Sequence, residues 1–189
     1  MPTKTIQSHC RHCGTEITLS EQPARKEPDW ERIEGAPRPL GVSWLESEQA
    51  YNFSLYAVDA SSVQLILYTA DELRVPSRRF TLDPRRNKSG PVWHIRVPIS
   101  EAGDAEYYAY HVDGPIDGAD SHWHAFDANK ILLDPYARSV FFPATFDREA
   151  ARMRGSNAGR APLGRLDICR CLFDWGNEPR VRHGADLII

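Results

Sequence analysis

Tyr51-Asn52-Phe53-Ser54-Leu55-Tyr56-Ala57, followed after the turn Asp59-Ala60-Ser61-Ser62 by Val63-Gln64-Leu65-Ile66-Leu67-Tyr68, decides the fold class. In the first run Tyr51, Phe53, Leu55 and Ala57 alternate with Asn52, Ser54 and Tyr56, the period of two that one-sided burial imposes on a strand. In the second run Val63, Leu65 and Leu67 share a face. Two adjacent strands joined by a short polar turn follow.

Working outward, Arg78 to Leu82 reads as a weaker, peripheral strand, and Asp83 to Pro91 as a long polar turn rich in breakers. Val92 to Val97 places Trp93, Ile95 and Val97 on an inward face and His94 and Arg96 on the other. Ala105 to Val112 is the last strand, and its aromatics fall on both faces. One of those faces must be covered by a loop, a neighbouring domain or a ligand. No helix of normal length is expected from Leu40 to Val112, and the only helix-like stretch is Asp147 to Arg154. Short strands at this spacing predict an all-β sandwich, with a small closed barrel as the alternative of equal signature. The expected organisation is an extended or mobile leader over 1–38, a sandwich over 39–142, and a mostly irregular linker over 143–189.

The chain has 189 residues, 41% of them hydrophobic, enough for one core of about 100 to 150 residues. A formal net charge of −3, from 23 Lys+Arg against 26 Asp+Glu, argues against a phosphate-backbone binder. Residues 1–20 carry no signal-peptide pattern, and no stretch approaches 18 apolar residues. The expectation is a cytoplasmic protein with no membrane and no nucleic-acid partner. Four cysteines are too few for a disulfide scaffold. Cys10-x-x-Cys13 and Cys169-x-Cys171 could together supply four thiolates, so structural zinc is the minor alternative to having no cofactor. The spacing of the second pair is short for such a site.

A family resemblance is carried by Tyr108-Ala109-Tyr110-His111-Val112-Asp113-Gly114-Pro115, His124-Ala125-Phe126-Asp127 and Asn129-Lys130-Ile131-Leu132-Leu133-Asp134-Pro135-Tyr136-Ala137. Pro39-Leu40-Gly41-Val42-Ser43-Trp44, Gly90-Pro91-Val92-Trp93-His94 and Phe173-Asp174-Trp175-Gly176 add to it in the same order. These stretches resemble the N-terminal region of bacterial glycogen debranching enzymes and isoamylases, a carbohydrate-binding module of family 48. The resemblance implies an immunoglobulin-like β-sandwich that precedes an α-amylase-type barrel carrying the catalytic carboxylates. Ala185 to Ile189 is similar to the apolar start of the first barrel strand. A barrel needs about 250 residues, so no catalysis is expected of this chain alone. The implied role is accessory: binding α-glucan such as glycogen or branched dextrin, or docking on the catalytic domain of a parent enzyme. The alternatives are a protein-interaction module without sugar affinity, and a fragment of an α-1,6-glucan hydrolase whose catalytic residues are absent.

Sugar binding needs flat apolar faces flanked by hydrogen-bonding side chains. The candidates are Trp93 with His94, Tyr68, Tyr108, Tyr110, and Trp123 between His122 and His124. Alternation assigns Trp93 to the core, whereas Trp123 lies in a loop of His, Ser, Asp and Gly that no period would bury. Glycoside hydrolysis needs two carboxyl groups across a cleft, and Asp127 with Asp134 is the tempting pair. Asp134 before Pro135 is expected instead to cap a turn. No catalytic residue and no metal ligand is expected.

Overall fold

Alternation becomes pairing in the computed structural model of the chain, which describes residues 34–115 and 126–166 and the backbone of two short strands before them. Those two, β1 (Ile6–His9) and β2 (Glu16–Leu19), pair antiparallel within the leader, where the sequence showed no period. The next strands are β3 (Gly41–Leu45), β4 (Ala50–Tyr56), β5 (Ser62–Tyr68), β6 (Arg78–Thr81) and β7 (Lys88–Ser89). They are followed by β8 (Val92–Pro98), β9 (Tyr107–Asp113), β10 (Val140–Phe141) and β11 (Leu163–Arg165). One antiparallel sheet has the order β3-β4-β8-β7 and a second the order β10-β11-β9-β5-β6. The fold is β-rich, but short helical segments at Glu46–Glu48, Ile99–Ala102 and Arg148–Arg152 correct an all-β description.

The period-two residues of both sheets meet in one cluster. Tyr51, Phe53 and Leu55 of β4 and Trp93 and Val97 of β8 join Val63, Leu65 and Leu67 of β5 and Tyr108, Tyr110 and Val112 of β9. The Phe53 and Tyr108 rings meet across the two sheets with centroids 5.3 Å apart. Each fully buried side chain of this kind contributes roughly 1.5–3 kcal/mol of transfer free energy. Trp93 satisfies its indole N–H by donating to the Ala57 carbonyl at 3.1 Å.

Aromatics on both faces of β9 have their explanation in the chain itself. On the outer face Tyr107 and Ala109, with Ile66 and Tyr68 of β5, form a second cluster with Ile131, Ala161 and Leu163. The cover is the segment from 126 to 163, which returns over the sheet and ends in β11, paired with β9 through Gly164 and Tyr108. A Cβ on Gly164 would lie 2.4 Å from the Tyr108 ring, so that approach requires glycine. Leu163–Arg165 lies within the stretch expected to be mostly irregular linker, and three residues are too few to show a period. The cover is held by two buried polar side chains. Asn157 accepts from the Ile131 N–H at 2.8 Å and donates to its carbonyl at 3.0 Å. Lys130 donates to the carbonyls of Ala150, at 2.8 Å, and Met153, capping the C-terminal end of the helix that Asp147 caps at its start.

The outer face of the other sheet is polar yet buried. Asn52, Ser54 and His94 lie beneath residues 34–37, which run across it as a strap. Asn52 accepts from the Ala36 N–H at 2.7 Å and donates to its carbonyl at 2.9 Å, while Ser54 donates to the Pro37 carbonyl. Gly35, with φ +83°, lies so close that a Cβ would sit 2.7 Å from the Ile95 carbonyl carbon. Alternation identified the faces correctly, but the strap arrives from outside the alternating runs.

Candidate functional site

The strands bury every sugar-binding candidate they carry, leaving no exposed face on which a sugar ring could stack. Trp93, His94, Tyr68 and Tyr110 are each 1% exposed or less. Tyr108 is buried as well. Tyr110 packs in the core between the sheets and Tyr68 in the cluster beneath the covering segment, so neither ring presents a face to solvent. His94 is occupied by structure. Its Nδ1–H donates to the Glu34 carbonyl at 2.8 Å, and its Nε2 meets the Ser89 hydroxyl at 2.9 Å, fixing the strap to β8. Trp123, with His122 and His124, lies outside the described residues.

The two carboxylates are likewise engaged by the fold. Asp127 accepts from the backbone N–H of Asn129 at 3.0 Å and of Gly155 at 2.7 Å, and these bonds hold its carboxyl below the usual range. Asp134 accepts from the Tyr136 N–H at 2.8 Å, the turn cap that its place before Pro135 suggested, and from the Tyr108 hydroxyl at 2.9 Å. Burial raises its pKa, and the two hydrogen bonds only partly oppose that. A buried acid bonded to a core tyrosine is an anchor between β9 and the covering segment, and neither oxygen is presented to a cleft.

Among the described residues no group of three or more His, Cys, Asp and Glu could hold a metal ion, and Cys10, Cys13, Cys169 and Cys171 lie outside them. A cavity of about 440 Å³ opens where Phe80, Asp83, Arg86, Arg96 and Glu101 surround the strap residue Glu34. Arg86 Nε donates to Glu34 at 2.9 Å, and Arg96 donates from the cavity wall to Glu48 at 3.1 Å. Its chemistry is hydrogen bonding and ion pairing.

Among the exposed aromatics, Phe142 and Phe146 carry no periodic signal in the sequence. Phe142 and Phe146 are 57% and 40% exposed and pack edge to face at 5.0 Å, just beyond the edge strand β10, whose Val140 is also exposed. The only signal for them was composition, Val140-Phe141-Phe142 followed by Phe146, with no period to assign them inward or outward. Tyr136 is exposed as well.

Residues 39–137 match the family described as carbohydrate-binding module 48, the isoamylase N-terminal domain. The chain is 37% identical over 162 residues to chloroplastic isoamylase 3 of Oryza sativa subsp. japonica, covering 82% of this chain and 19% of that protein. It is 40% identical over 110 residues to the glycogen debranching enzyme of Dickeya chrysanthemi, covering 58% of this chain and 15% of the enzyme. It thus spans less than a fifth of the length of these curated relatives. The crystal structure of the Group B Streptococcus pullulanase SAP is 18% identical and overlaps 81% of this chain and 17% of its own, with a TM-score of 0.46. The strand aromatics that serve as core, the carboxylates that serve as turn caps and the match over 39–137 agree: the chain belongs to the carbohydrate-binding module 48 family, the non-catalytic N-terminal module of isoamylases and debranching enzymes.

Proposed function

We propose that this module is an immunoglobulin-like β-sandwich that serves an α-glucan debranching enzyme by docking on its catalytic barrel. Direct contact with glycogen or branched dextrin, on this reading, is left to Trp123. The observation that carries the reading is the placement of the aromatic residues: Trp93, Tyr68, Tyr108 and Tyr110 are buried in the strands, Tyr56 and Tyr136 are exposed singly, and the exposed rings that pack together are Phe142 and Phe146. An exposed apolar pair beside a strand edge that no other described strand pairs is the chemistry of a protein interface. A cytoplasmic setting is part of the proposal, supported by the low cysteine content.

Titration with maltoheptaose, followed by tryptophan fluorescence, tests the assignment of sugar contact. The expected result is a weak signal or none in the wild type, no saturable signal in Trp123→Ala, and no release of reducing ends by either protein. A saturable signal surviving in Trp123→Ala would return sugar binding to the strands or to the cavity beside Glu34.

A further inference from the structure

The outer face of the five-stranded sheet is only partly covered, and the part left open has a distinct chemistry. Register places Gln64 and Tyr68 of β5, Arg79 of β6 and His111 of β9 on this one face, since Arg79 lies opposite Ile66 and His111 opposite Gln64. Together with Arg74 and Asn129 they line a cavity of about 250 Å³. No Asp or Glu is among its lining residues. Among the described residues neither guanidinium has an ion-pair partner. Glu72, the acid that acts on Arg74, spends Oε1 on the backbone N–H groups of Arg74 and Val75. His111 is oriented by its Nδ1–H, which donates to the Lys130 carbonyl at 2.9 Å. Tyr68 is wholly buried, and its hydroxyl has no hydrogen-bond partner. A buried hydroxyl left without a partner costs about 1–3 kcal/mol, so a fold that keeps one beside an open cavity has a donor to offer.

We propose that this cleft binds a phosphate monoester, with Arg74 and Arg79 taking the phosphate oxygens and Tyr68 donating from beneath. Two guanidiniums match a dianion in charge and in their planar donor geometry. Burial pushes the Tyr68 phenol up to about 12, so it keeps its proton and stays a donor. The volume is below the ~300–1,000 Å³ of pockets for drug-sized ligands, which suits a single phosphorylated sugar residue. Gln64, whose amide nitrogen donates to the Thr81 hydroxyl at 3.0 Å, keeps its amide oxygen for a sugar hydroxyl.

Calorimetric titration of the whole chain with glucose 6-phosphate, inorganic phosphate and glucose, at constant ionic strength, tests the site. Glucose 6-phosphate is expected to bind saturably and glucose is not. Arg79→Gln should weaken binding at least about tenfold, which is ~1.4 kcal/mol. Tyr68→Phe should weaken it several-fold while unfolding no earlier than the wild type, because it removes an unpartnered hydroxyl. Arg85→Gln, on the exposed turn outside this cleft, should leave affinity unchanged. Inorganic phosphate binding as tightly as the ester would assign the affinity to the phosphate alone; tighter binding of the ester would add contacts to the sugar. No saturable binding of either anion up to about 10 mM, or equal loss in Arg79→Gln and Arg85→Gln, would overturn the proposal. Neither outcome bears on the maltoheptaose titration, whose ligand is uncharged.

Discussion

Asp134 shows how much a single side chain carries in this fold. Its two oxygens fix the Tyr136 turn and the Tyr108 hydroxyl, so it ties the covering segment to the middle of β9. Burial holds its pKa above the ordinary carboxylate value, so the folded state keeps a proton that the unfolded chain has already released. Between the two values the folded state binds more protons, and this group's contribution to stability falls as pH rises. Asp127 and Asp147 act in the opposite sense, losing stabilisation as pH falls, because backbone hydrogen bonds hold their carboxyls low. Asp134→Asn can keep both contacts, with its oxygen on the Tyr136 N–H and its amide donating to Tyr108. Urea unfolding of the two proteins from about pH 4 upward should show the difference moving in the variant's favour as pH rises. A pH-independent difference would remove the raised pKa from the account. Residues of this kind were half legible: Asp134-Pro135 announced a turn cap, but its bond to Tyr108 spans 26 positions and has no local sequence signal. His94 is the harder case, since its alternation points away from the core and only the arrival of the strap buries it.

At the scale of elements, the two sheets and their covers follow different rules. β4, β5, β8 and β9 are each seven residues long and alternate, so their existence and inward faces could be read directly. β7, β10 and β11 have two or three residues and form only because a longer neighbour offers unpaired backbone groups. Where even a short strand is lacking, an asparagine takes its place: Asn52 pairs both backbone groups of Ala36, and Asn157 both of Ile131. Asn157→Ala leaves the buried N–H and C=O of Ile131 without partners. The expected cost is about 2–4 kcal/mol, read as a lower urea midpoint with little change in m-value. Asn52→Ala should cost less, because Ala36 is only partly buried. Equal, near-zero effects would mean that water replaces these contacts and that the segments are not held as described. The need for a cover was legible in the aromatics of Tyr107 to Tyr110 on both faces. Its source was not, because the covering residues beyond 126 pack by contact at large sequence separation.

For the molecule as a whole, the proposed docking role rests on the division of aromatic residues. A core that consumes Phe53, Tyr68, Trp93, Tyr108 and Tyr110 leaves few flat rings outside it, and among the described residues Phe142 and Phe146 stand out beside β10, the last strand of its sheet. The family could be read in the sequence because Asp134-Pro135-Tyr136 and its companions are turn and anchor chemistry that the fold demands. The exposed pair could not, since exposure there depends on which strand ends the sheet. Hydroxyl-radical footprinting compares side-chain accessibility in this chain alone and in the full-length debranching enzyme proposed as its parent, with exposed Tyr56 on β4 as the internal reference. Docking predicts that Phe142 and Phe146 react readily in the isolated chain and lose most of that reactivity in the enzyme, while Tyr56 changes less. Equal reactivity of Phe142 and Phe146 in the two proteins would contradict it.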